Sequence, residues 1–217
     1  MRILFCNIAW MKYYKGTCDD DTPVNGGSYV DEHKDGIEAF NFLPITVEND
    51  DVKHIKEGSE VLFGSFETKS NKKSYRPNQV HIERFEGCNA LTKGNYVDDV
   101  LVIWCATSPK GESKVVGWYK NATVHRRYES IEIACDDDST FERWYNVTAN
   151  VEDAMLLPES ERNRNIWKVP RKNTKRGTPF GFFRANHWYA SEPEAQEYVR
   201  QLVSNIDNYS GKNAMNI

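Results

Sequence analysis

Residues 100–119 read VLVIWCATSPKGESKVVGWY, and this stretch decides the fold. An apolar run meets a Pro109-Lys110-Gly111 turn, and a second apolar run returns to Trp118-Tyr119. That pattern predicts a hairpin of two central strands. Outward from it, residues 2–9 form a short apolar run that reads as a buried strand. Residues 60–66 and 79–85 read as further strands, with Lys69, Lys72, Lys73 and Arg76 in a hairpin loop between them. Ile131, Ile133 and Cys135 alternate as another strand, and 143–157 holds one or two more beyond the acidic tip Asp136-Asp137-Asp138. Residues 16–36, rich in Gly, Asp and Asn, read as a loop centred on Asn25-Gly26-Gly27-Ser28. A short helix is expected after Pro158.

The last helix is the clearest. Ser191 and Glu194 form a capping box, and Ala195, Tyr198, Val199, Leu202, Val203 and Ile206 repeat at helical spacing. Many strands and few helices predict an α+β domain on a curved or barrel-like sheet, with flanking helices and a C-terminal helix. One domain is expected over 1–210, with 211–217 as a tail or the start of a linker.

The 217 residues carry a net charge of −4, yet Arg162 to Arg184 holds eight basic residues and no acidic one. Everything outside that segment therefore sums to −12. Crowded like charges repel, and a phosphate backbone is the usual anion that neutralises them. Arg162, Arg164, Lys168, Arg171, Lys172, Lys175, Arg176 and Arg184, with Lys120, are the candidate phosphate contacts. The interleaved Asn, Gly, Thr and Pro read as a loop. An acidic protein surface is the competing partner for such a loop.

Five scattered cysteines show no CxxC pair and point to a reducing, cytoplasmic setting. No 18-residue apolar run exists, so no membrane span is expected. The five histidines show no HxH or HExxH pattern, and no phosphate-cradling Gly loop or nucleophile elbow is present. No cofactor, metal or catalytic residue is expected, and the chain reads as a non-catalytic binding module.

An N-terminal apolar strand, a Gly27-Ser28-Tyr29 loop, the 100–119 hairpin and a Leu156-Leu157-Pro158 turn follow in order. This arrangement resembles the EVE and YTH branch of the PUA-like superfamily. Asn186-His187-Trp188-Tyr189-Ala190 and the opening ILFCNIAWMKYY are also similar to N-terminal specificity domains of bacterial modification-dependent restriction enzymes. An HNH nuclease commonly follows such domains, and its motif is missing here. The resemblance implies a compact barrel that flips a modified base of double-stranded DNA, 5-methylcytosine or 5-hydroxymethylcytosine, into an aromatic cage. Trp10, Tyr29, Trp104, Trp118 and Trp188 are the candidate cage residues, with Asn7 and Ser28 as edge hydrogen-bonders. The pocket is expected where the first strand, the Gly-Ser-Tyr loop and the central hairpin meet. Where YTH cages carry Trp after the first strand, this chain has Tyr29. A YTH-type RNA reader and a protein-interaction module without base preference stay open as alternatives.

Overall fold

The computed structural model describes residues 1–48, 55–68, 79–134 and 139–216. Strand β1 (Arg2–Ile8) runs parallel to β4 (Tyr96–Thr107), which forms the expected hairpin with β5 (Ser113–Ala134). Both arms reach beyond the quoted stretch. The alternating 131–133 segment is the far end of β5, not a separate strand. Strands β6 (Thr140–Asn150) and β7 (Ala154–Leu156) lie along the edge of β5 away from β4, separated by a 3₁₀ turn at Val151–Asp153. With β2 (Pro44–Thr46), β3 (Glu60–Gly64) and β8 (His187–Trp188), the order is β2-β3-β6-β5-β4-β1-β8. The expected loops at 69–76 and 136–138 and Cys135 lie outside the described residues.

The central strands read as unbroken apolar runs because both their faces are covered. Leu4, Cys6, Ile8, Val102, Trp104, Val116 and Tyr119 point into one core. Ile3, Phe5, Leu101, Ile103, Cys105, Val115 and Trp118 point into the other. The second core is roofed by α3 (Gln196–Asp207), which buries Val199, Leu202 and Ile206. Each of those side chains contributes roughly 1.5–3 kcal/mol by leaving water.

The sheet is bent around the first core. Three strand spacings separate β3 from β4, about 14 Å in a flat sheet. Yet a Cβ built on Gly64 of β3 would lie 2.7 Å from the Trp104 ring on β4. Only a curled sheet brings them together.

Four expectations change. Residues 79–85 form no strand: Val80, Ile82 and Phe85 are buried around a 3₁₀ turn, Ile82–Arg84. Their alternation reports burial, while the Ile82 N–H turns back on the Val80 carbonyl. The glycine-rich loop contains a six-residue helix, α1 (Ser28–His33), directly after Gly27. The capping box does not form. The chain takes a 3₁₀ turn at Pro193–Ala195, and no side chain caps α3, while the Glu192 carboxylate accepts from Trp188 Nε1 at 2.8 Å. Finally, 211–216 is no trailing tail. Ala214 and Met215 are buried in the first core, and Asn213 bonds both the Leu156 N–H and the Ala154 carbonyl of β7.

Candidate nucleic-acid interface

Asn7 interrupts the apolar run of β1 one residue before its end, where a buried position would leave its amide unsatisfied. It is half-buried, and its backbone N–H donates to the Asn186 carbonyl at 2.7 Å. Its side-chain oxygen accepts from Arg171 Nη2 at 3.1 Å, and the same nitrogen donates to Thr107 Oγ1 at 2.8 Å. Thr107 is the last residue of β4. The basic segment is thereby fastened to the carboxyl ends of the parallel strand pair.

The glycine-rich turn joins them there. The Asn25 amide donates to the carbonyls of Thr107 and Ser108, at 3.2 and 3.1 Å. Trp10 and Val24 exchange both backbone bonds, at 2.8 and 3.0 Å. Gly26 is required by crowding: a Cβ would stand 2.8 Å from that of Ala9 and 2.7 Å from Val30. Gly27 has φ 105°, a conformation L side chains rarely adopt. Helix α1 begins at once, so Ser28 and Tyr29 start on a backbone held beside β1 and β4. The first strand, the turn at 24–26 and the hairpin therefore meet at one place, with α1 starting just beyond; the side chains of Ser28 and Tyr29 lie outside the described residues.

Acidic groups flank it. Glu38 is buried and accepts the Ala9 N–H at 3.1 Å; burial raises its carboxyl above the usual range. Glu67 is exposed and accepts from the Asn186 amide at 2.9 Å. The neighbouring His187 is held neutral, pushed down to about 4 by burial and by Arg84 and His81.

The tryptophans do not gather there. Trp104 lies opposite Gly117, and Trp118 opposite Ile103. Paired residues share a face and successive residues alternate, so the two indoles point to opposite faces. Trp104 is fully buried beside Tyr119 in the first core. Trp118 stacks on Trp167 at 5.6 Å in the second core, where Trp188 packs on Phe5 at 4.7 Å. Trp10 is buried in the first core, with Nε1 donating to Glu159 at 3.3 Å. A cage built from all four is excluded, because the sheet runs between them.

The basic segment is a folded strap. Residues 171–182 close on themselves through an antiparallel Asn173–Thr178 bridge around a turn at Thr174–Arg176 and a parallel Arg171–Phe182 bridge at the base. Arg162 is not a phosphate contact. It is fully buried, and it donates to the carbonyls of Leu157, Met11 and Lys12 at 2.8, 2.6 and 2.8 Å. Its guanidinium also faces the Trp10 ring at 5.3 Å. Arg164, Lys168, Arg171, Lys175 and Arg184 are exposed, and Lys120 is half-buried. Arg164, Lys168 and Lys120 pair with Glu161, Glu112 and Asp207. Such exposed pairs are worth about 0–1 kcal/mol and exchange easily for phosphate. Lys172 is half-buried and Lys175 exposed on the strap, and the backbone of Arg176 belongs to its turn.

Two features escaped the sequence reading. Phe183 is 66 % exposed and carries the Arg184 guanidinium 5.0 Å above its ring. The Gly181-Phe182-Phe183 run was the available signal, an aromatic pair of which strand-like alternation can bury one member. The other is a cleft of about 600 Å³ between the strap and α3.

Comparisons with family models, with characterised proteins and with solved structures find no match for this chain. No group of three potential metal ligands occurs among the described residues, and no described helix is long and apolar enough to cross a membrane.

Proposed function

We propose that this chain is a PUA-like module of the EVE and YTH kind that binds duplex DNA and reads one flipped, C5-modified cytosine. One observation carries the reading. The polar tip of β1, the turn leading into Ser28 and Tyr29, and Arg171 of an acid-free basic strap converge at the carboxyl ends of β1 and β4. Base recognition and phosphate attraction thereby share one surface.

The chemistry follows from the division of labour. The strap supplies sequence-independent affinity through counterion release. Flipping costs a few kcal/mol, recovered by stacking and by hydrogen bonds to the base edge. Tyr29, on α1, is the remaining cage aromatic from the sequence reading, with Asn7 and Ser28 at the edge. A carboxylate such as Glu38 or Glu67 suits the N4 amino group of cytosine. The chain reads and does not cut. Cleavage, where it follows reading, belongs to an attached or associated HNH-type nuclease.

The test is competition between otherwise identical duplexes carrying cytosine, 5-methylcytosine or 5-hydroxymethylcytosine, with matched RNA as further competitor. A C5 substituent in a snug pocket is worth about 1–3 kcal/mol, so a preference of roughly 5- to 150-fold is expected. Preference for methylated RNA would transfer the reading to RNA. Equal affinity for all would leave a protein-interaction module.

A further inference from the structure

We propose that the cleft between the basic strap and α3 is a second nucleotide subsite, taking one nucleoside monophosphate unit. The proposal rests on the nucleic-acid reading above and extends it to a surface outside the meeting point at β1. Arg171 belongs to both places. It bonds Asn7 and Thr107 at the strand ends, and it also lines the cleft.

The charge balance selects an anion. Glu112 is the acidic residue of the lining, and two lysines hold it: Lys168 Nζ at 3.2 Å and the buried Lys114 Nζ at 3.3 Å. Both keep its carboxyl below the usual range. In the lining itself two cations, Lys168 and Arg171, stand with one carboxylate, and Lys114 adds its charge from behind Glu112. Arg171 meets only neutral oxygens through its Nη2, so its charge is not cancelled by a carboxylate in that contact. A guanidinium so placed suits a phosphate.

The remaining walls select a ring. Phe180 and Tyr198 are half-buried, with centroids 6.0 Å apart and planes 38° apart. The Tyr198 hydroxyl donates to the Lys168 carbonyl at 3.2 Å, which ties the aromatic wall to the cationic one. Aromatic faces stack any base, and the amides of Asn165, Gln201 and Asn205 line the same space. A cleft of about 600 Å³ exceeds what a bare phosphate fills and lies within the usual range for small-molecule sites.

Gln201→Trp tests this by filling the cleft. Gln201 is exposed on α3, and its amide donates to Glu197, one turn away, so folding should persist; circular dichroism and melting check that. Two probes are titrated into parent and variant: an unmodified duplex, and cytidine monophosphate followed by chemical shifts of Phe180 and Tyr198. Loss of duplex affinity by roughly 5- to 150-fold, the worth of one base stack, assigns the subsite to a nucleotide of the bound strand. Loss of monophosphate binding alone assigns it to a free nucleotide. A variant that binds both probes as the parent does overturns the proposal. The cytosine-modification preference is read separately, so a parent without preference sinks the base-reading proposal while leaving the cleft result intact.

Discussion

Arg162 and Arg171 stand nine residues apart in one basic segment and have opposite roles. Arg162 spends its guanidinium on three backbone carbonyls in the interior, whereas Arg171 holds two side-chain oxygens at the surface. Sequence shows the charge of both and the burial of neither, because burial is decided by Trp10, Tyr14 and the 11–12 turn, some 150 positions away. Arg162→Met should destabilise the fold by at least about 3 kcal/mol, since it leaves buried carbonyls without donors. Denaturant unfolding measures this. Arg171→Gln should leave the unfolding midpoint near that of the parent and weaken duplex binding instead. His187 gives a pH prediction. Its ordinary value is 6.5 and its folded value about 4. Between those limits the unfolded chain takes up a proton that the folded chain refuses, so stability falls as pH drops from 6.5 to 4. That difference corresponds to at most about 3 kcal/mol. Glu38 acts oppositely, because its raised carboxyl is protonated first in the folded state and adds stability as pH falls. His187→Gln should therefore flatten the acid side of the stability profile; an unchanged profile would show that the imidazole titrates normally.

Among the elements, the hairpin was the most legible, because an unbroken apolar run, a Pro-Lys-Gly turn and a second run admit few other structures. β1, β3, the β6–β7 segment, α2 (Glu159–Arg162) and α3 were legible for the same reason, period and punctuation. The aromatic cage was not. Trp104 and Trp118 look alike in sequence, and only the register, with Trp104 opposite Gly117, sends them to opposite faces. Gly117 is where β5 crosses β7: a Cβ there would meet the Met155 carbonyl and lie 2.7 Å from Phe42. Gly117→Ala should cost about 1–3 kcal/mol through overpacking, seen as a lower melting temperature. The strap was legible as charge but not as a folded loop, since its closure rests on one antiparallel and one parallel bridge between 171–173 and 178–182. Converting Lys172, Lys175, Arg176 and Arg184 to Gln should weaken binding to modified and unmodified duplex by equal factors. The log–log salt slope should fall by up to about 0.9 per phosphate contact removed. An unchanged slope would place the DNA on another face.

At the scale of the molecule, a curled mixed sheet separates two cores, and its strap carries positive charge across a chain that is acidic elsewhere. Asn7, Thr107 and Arg171 meet at the carboxyl ends of β1 and β4, where the proposed base and phosphate contacts would act together. The two kinds of contact respond differently to salt, which separates them in solution. Phosphate contacts weaken as counterions compete, while contacts to a flipped base do not release ions. The decisive measurement is the ratio of dissociation constants for unmodified and C5-modified duplex at about 50 and 200 mM salt. The account predicts that both constants rise steeply with salt while the ratio stays fixed, several-fold in favour of the modified duplex. A ratio of one at both salt concentrations would contradict it.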